Sequence, residues 1–149
     1  MPSPPAPFDL KLAREAFENA ARLHGEATRR GAPNLTGDDL EQLREADAAY
    51  ASAVADGRVE DAIEADDAFH RILVTAARDP DLQVSVELLT PRLRRMDLWF
   101  FARKTFGGAP NSHPPILAAL ERGDAEEAAE LVERSFRDAG EQLSAALER

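Results

Sequence analysis

The chain has no cysteine. Disulfides and thiolate metal sites are therefore excluded, and any bound metal has to be held by imidazole and carboxylate. The same absence fits a reducing cytoplasm, which is the expected location. Long apolar runs are missing too: no stretch of 18 apolar residues occurs, so no membrane-spanning helix is expected. Cations are in short supply, with 18 Lys and Arg against 28 Asp and Glu and a formal charge of −10. Phosphate binding needs a positive surface, so a chain this acidic is not expected to grip nucleic acid by itself. An anionic membrane surface is disfavoured for the same reason. Also lacking are a Gly-rich phosphate loop, a Gly-x-Ser-x-Gly elbow, a His-Glu-x-x-His pair and any long segment alternating with period two.

What is present is enough for one domain with a real core: 149 residues, 44% of them apolar and 31% charged. Residues 1–8 are proline-rich and lack the basic and apolar regions of a signal peptide, so they read as a disordered lead-in. From there the spacing is helical. Leu10, Ala13, Phe17, Ala20, His24 and Ala27 mark a first helix from Asp9 to about Arg30, stopped by Gly31 and Pro33. Thr36 and Asp39 resemble a capping box for a second helix, with Leu40, Leu43, Asp47, Tyr50 and Val54 as its stripe and Gly57 at its end. A third runs from Val59 to Ala77 and stops at Asp79-Pro80. A fourth spans about Asp81 to Phe106, with Pro91 expected to kink it. A loop at Gly107–Ser112 precedes a short fifth helix, which Pro114 and Pro115 open and Gly123 closes. Asp124 and Glu127 cap a last helix carrying Ala128, Leu131, Val132, Phe136 and Leu143. The expected fold class is all-α, a mostly antiparallel bundle of about six helices occupying residues 9–149.

Within the third helix, Asp66 and His70 stand four apart and so share one side, one turn from each other. Ile63, Phe69, Ile72 and Leu73 surround them, which points that side to the interior. A carboxylate and an imidazole beside a core are unfavourable unless they pair or hold a metal. Spacing alone leaves both readings open, a hydrogen bond tightening a helix and a ligand pair.

Four features arrive in one order: Arg14 with Glu18; Asp66-x-x-Phe69-His70 with Asp79-Pro80-x-Leu82; His113 ahead of Ile116-Leu117; and Leu120-x-x-Gly123-Asp124-x-x-x-Ala128. Together they resemble the FCD domain, the effector-binding C-terminal domain of GntR-type bacterial transcription regulators. The resemblance spans about residues 9–148. It implies a helical bundle that senses a small molecule, with an Asp and three histidines holding a divalent metal such as zinc or nickel and a carboxylate effector completing the coordination sphere. It also implies a homodimer, with DNA reached through a winged helix-turn-helix, which is not found in this chain.

Carried over by position, the implied metal ligands are Asp66, His70 and His113. The fourth falls at Ser135, a poor ligand compared with imidazole, so binding should be weaker. Pro114-Pro115 put His113 at a helix edge and leave its aim open. His24, on the first helix, reads as a core histidine or as a replacement ligand. Arg14 and the Arg92, Arg94, Arg95 group read as effector-carboxylate partners or as solvated ion pairs. Asp67, about 100° around the helix from Asp66, is a poor general base. Trp99, Phe100 and Phe101 read as core or dimer interface. The expected effector-binding residues are Arg14, Ser135 and His24. The function they point to is sensing of a small organic acid, without catalysis. The alternatives are a metal-dependent enzyme and a helical dimerisation module without ligand.

Overall fold

Short polar breaks between amphipathic segments leave the chain one economical arrangement, helices folded back on one another. The computed structural model describes residues 10–103 and 111–147. Six α-helices account for most of them: α1 (Leu10–Gly31), α2 (Gly37–Ala55), α3 (Val59–Ala76), α4 (Pro80–Arg103), α5 (His113–Glu121) and α6 (Ala125–Leu147). A 3₁₀ turn, Ala32–Asn34, follows α1 where Pro33 stops it. No strand occurs among the described residues. The lead-in at residues 1–8, the Gly107–Pro110 part of the expected loop and the extension of α4 to Phe106 lie outside them.

The helix ends follow from identifiable side chains. The Asp39 N–H donates to Thr36 Oγ1 (3.1 Å) and the Thr36 N–H to Asp39 Oδ2 (3.0 Å), a reciprocal cap on α2. Asp124 Oδ1 accepts from the Glu127 N–H (3.0 Å) at the start of α6. Asp79, read from the sequence as a stop, also starts α4: its Oδ1 accepts from the N–H groups of Asp81 and Leu82. At the other ends, Gly57 (φ 71°) and Gly123 (φ 75°) take the left-handed conformation that closes a helix. The following N–H groups turn back to Ala53 O (2.8 Å) and Ala119 O (2.9 Å). Pro91 does not break α4, which runs through it.

α1 and α6 pack antiparallel along most of their length: Arg14 meets Ser144, Glu18 meets Arg137 and Arg29 meets Glu126. Glycine permits the close approach. A Cβ on Gly140 would lie 2.8 Å from Phe17 Cβ, and one on Gly25 would lie 2.4 Å from the Glu133 side chain. The core has two main parts. Leu43, Phe69, Leu73, Ile116, Leu120 and Val132 join α2, α3, α5 and α6. Ala13, Phe17, Leu93, Met96, Trp99 and Leu143 join α1, α4 and α6. Phe136 packs against both, and the cavity described below lies along this seam.

Gly31 sets the approach of α1 to α3, since a Cβ there would stand 2.4 Å from the Leu73 carbonyl oxygen, which is backbone. Gly31→Ala is expected to destabilise the fold by roughly 1–3 kcal/mol through overpacking. Gly37→Ala, which meets nothing within 4 Å, should be neutral or slightly stabilising. Urea denaturation of the two variants checks the contrast.

Candidate metal centre

α3 carries Asp66 and His70 on the side facing the seam, and α5 begins with His113, which is only 1% exposed. The open question about His113 is answered by its position as the first residue of α5. The prolines after it form the exposed first turn and the ring goes inward. Its Nε2 lies 2.7 Å from Asp66 Oδ1, and His70 Nε2 lies 3.4 Å from the same oxygen. One carboxylate oxygen thus faces two imidazole nitrogens. The three donor atoms lie within 4.8 Å of one another.

The surroundings hold these rings in place. Phe69 stacks on the His113 ring at 4.2 Å with 9° between planes. The Tyr50 ring packs against the same imidazole at 4.7 Å, tilted by 60°. Asp47 Oδ1 stands 3.6 Å from His113 Nδ1 and accepts a hydrogen bond from Asn111 Nδ2 (3.1 Å). Asn111 Oδ1 in turn accepts from the His113 backbone N–H (3.0 Å). At 3.6 Å Asp47 stands near His113 Nδ1 without forming a hydrogen bond to it. The Nδ1 atoms of both His70 and His113 are buried without a hydrogen-bond partner.

The donor set suits a divalent ion. Two imidazole nitrogens and one carboxylate oxygen within 4.8 Å of one another are ligand types that zinc accepts. Imidazole also suits nickel. The Asp66 side chain keeps 34% exposure, so a small molecule can reach it, whereas the two histidine rings are closed off behind it. Burial pushes the Asp66 carboxyl up, but His70 and the hydrogen bond from His113 outweigh this and hold it below its ordinary range.

The cavity has two lobes that share Asp66, His70, Asp97 and Phe136. One measures about 190 Å³ and is walled further by Tyr50, Ser135 and Gln142; the other measures about 390 Å³ and is walled by His24, Asp67 and Arg94. Ser135 is therefore at the cavity, but its hydroxyl donates to Val132 O (2.8 Å) on its own helix. His24 stacks on Phe136 at 4.5 Å and meets the His70 ring edge at 5.4 Å. It lines the second lobe but is not one of the three converging donors. Burial, and then the neighbouring His70, push its imidazole down to about 3.

Arg14 does not join them. It is exposed and its Nε donates to Ser144 Oγ (3.3 Å) in a groove between α1 and α6, because it stands about 100° around α1 from Ala13, the start of the buried stripe. Glu18, its expected partner, pairs with Arg137. Of the second arginine group, Arg94 reaches the cavity and pairs there with Asp67. Trp99 is buried in the core at 5% exposure, so its side of α4 is not an open interface. Sequence reasoning missed Asp97 altogether. The signal was an acid next to Met96 and four residues after Leu93, in the buried register of α4.

The helical bundle encloses a largely apolar cavity with acids and imidazoles on its wall, an architecture suited to holding a small molecule. The family model of the FCD domain matches residues 15–138, and the chain belongs to that family, the C-terminal effector-binding domain of GntR-family regulators. No curated protein matches it in sequence. FCD domains are regulatory effector-binding domains.

Burial of neutral His24 makes stability depend on pH. The unfolded chain protonates this imidazole below about 6.5, whereas the folded one resists down to about 3. The contribution is complete above the upper value and is lost as pH falls through that window, with a slope of at most ~1.4 kcal/mol per pH unit. His24→Phe should flatten this part of the curve in urea melts run in chelator between pH 7 and pH 4.

Proposed function

We propose that this chain is the sensing domain of a GntR-type transcription regulator and that it detects a small organic acid through a divalent metal held by Asp66, His70 and His113. The observation that carries this reading is the approach of both Nε2 atoms to one Asp66 oxygen, with all three donor atoms within 4.8 Å of one another. A bound ion would supply positive charge and open coordination positions for a carboxylate oxygen.

The residues of the chain do the rest. Asp47 and Asn111 orient His113, Phe69 and Phe136 pack against the histidine rings, and the lobe of about 190 Å³ limits the ligand to a few carbon atoms. Ser135 stands where the family's further histidine would, so the site is three-coordinate from protein and binds metal more weakly. The ligand wall draws on α1, α2, α3, α4 and α6, so occupancy ties together helices that otherwise meet through separate parts of the core. Ligand that binds only the tied arrangement shifts the population toward it, which is how a sensing domain signals to an attached DNA-binding unit. Val84 (53% exposed) and Leu88 (78%), one turn apart on α4, supply an apolar face for a homodimer.

Zinc or nickel added to protein purified without a histidine tag and stripped with chelator should raise the melting temperature. A ligand at a hundred times its dissociation constant adds ~2.7 kcal/mol. Asp66→Asn and His70→Ala should remove the response; a response that survives intact in His70→Ala refutes the site. Small carboxylic acids should add further stabilisation only with the metal present.

A further inference from the structure

Asp97 is a carboxylate for which the metal site has no use. It comes from α4, lines both lobes where they meet, and is not among the three donors within 4.8 Å of one another. It makes no hydrogen bond or ion pair among the described residues. Its neighbour Asp67 is already engaged by Arg94. Among the described residues lining the smaller lobe there is no lysine or arginine, while Asp66 and Asp138 add further negative charge. An enclosed acid beside other acids, with no cation of its own, is held from ionising until something supplies the countercharge. His70 marks this wall as a ligand site and not a solvated acidic patch: it is 5% exposed, lines both lobes, and turns its Nε2 to Asp66 Oδ1 at 3.4 Å.

An ion on Asp66, His70 and His113 answers Asp66 and leaves Asp97 unanswered. A plain carboxylate effector makes matters worse, because it brings another negative charge into the same small space. A molecule with a carboxylate at one end and an ammonium group at the other satisfies both ends of the lobe. We infer that the effector is a small amino acid-type zwitterion, its ammonium group paired with Asp97 and its carboxylate turned to the Asp66–His70–His113 cluster. This rests on the sensing role proposed above and names the chemical class of the ligand. The lobe of about 190 Å³ restricts it to short members of that class.

The test is isothermal titration calorimetry on the zinc-loaded protein with matched probes: L-alanine and β-alanine against propionate, and 4-aminobutyrate against butyrate. At least one amino-bearing probe should bind tenfold or more tightly than its plain partner. Asp97→Asn should abolish that preference, leave the plain acids bound as well or better, and change zinc affinity less than threefold. Asp97→Glu should keep the preference. Equal binding of every matched pair by the unmodified protein overturns the inference without needing a variant. A preference that persists in Asp97→Asn also overturns it, since the amine would then be read by the metal alone. So does a loss of zinc affinity in Asp97→Asn as large as in Asp66→Asn, which would make Asp97 a metal ligand. Zinc titrated without any acid reads the underlying proposal separately. If zinc does not bind, that proposal fails, and the same matched pairs on the metal-free protein decide the role of Asp97.

Discussion

One carboxylate oxygen serving two imidazoles is the constraint on which the site depends. Asp66 Oδ1 has His113 Nε2 at 2.7 Å and His70 Nε2 at 3.4 Å, and the two rings come from different helices. Desolvating an acid is unfavourable, and only the imidazoles close by make this burial tolerable. Separating α3 from α5 would strand all three groups. Buried polar networks of this kind favour one arrangement of the helices over its neighbours because partial satisfaction is worse than none.

The apolar structure is built to present that cluster. Phe69 is fully buried in one part of the core and lies flat on His113, so the same side chain serves packing and aim. Phe136 bridges the two parts of the core and meets both His24 and His70. The cavity follows from this seam: two well-packed regions meet along polar side chains that cannot interdigitate as tightly as hydrocarbon. Its acids are held in opposite senses. Asp66 is pulled down by imidazoles, whereas burial first, and then Asp66 and Asp67, push Asp97 well up. Such a split between neighbouring carboxyls is characteristic of sites that bind something.

Much of the bundle was readable in advance. The stripe from Ala13 to Ala27 is buried residue for residue, and the caps at Thr36, Asp39 and Asp124 appear as expected. Pro91 lies inside α4, as the spacing on either side of it implied. Of the expected site residues, Asp66, His70 and His113 converge, Ser135 and His24 line the cavity around them, and Arg14 lies outside on another groove. Asp47, Asn111 and Asp97 were not among the expected site residues; they come from α2, the segment before α5 and α4.

Helical periodicity, capping chemistry and the pairing of Asp66 with His70 are local properties, so the order of residues along the chain determines them. Which helix faces which is not local. The choice of His113 over His24 as the third donor, the exile of Arg14 and the meeting of Asp97 with Asp66 depend on how α1, α4 and α5 rotate about their own axes. That rotation is set by the joint packing of Phe17, Phe69, Trp99 and Phe136 with glycine contacts such as Gly31 against Leu73, and only the assembled core decides it.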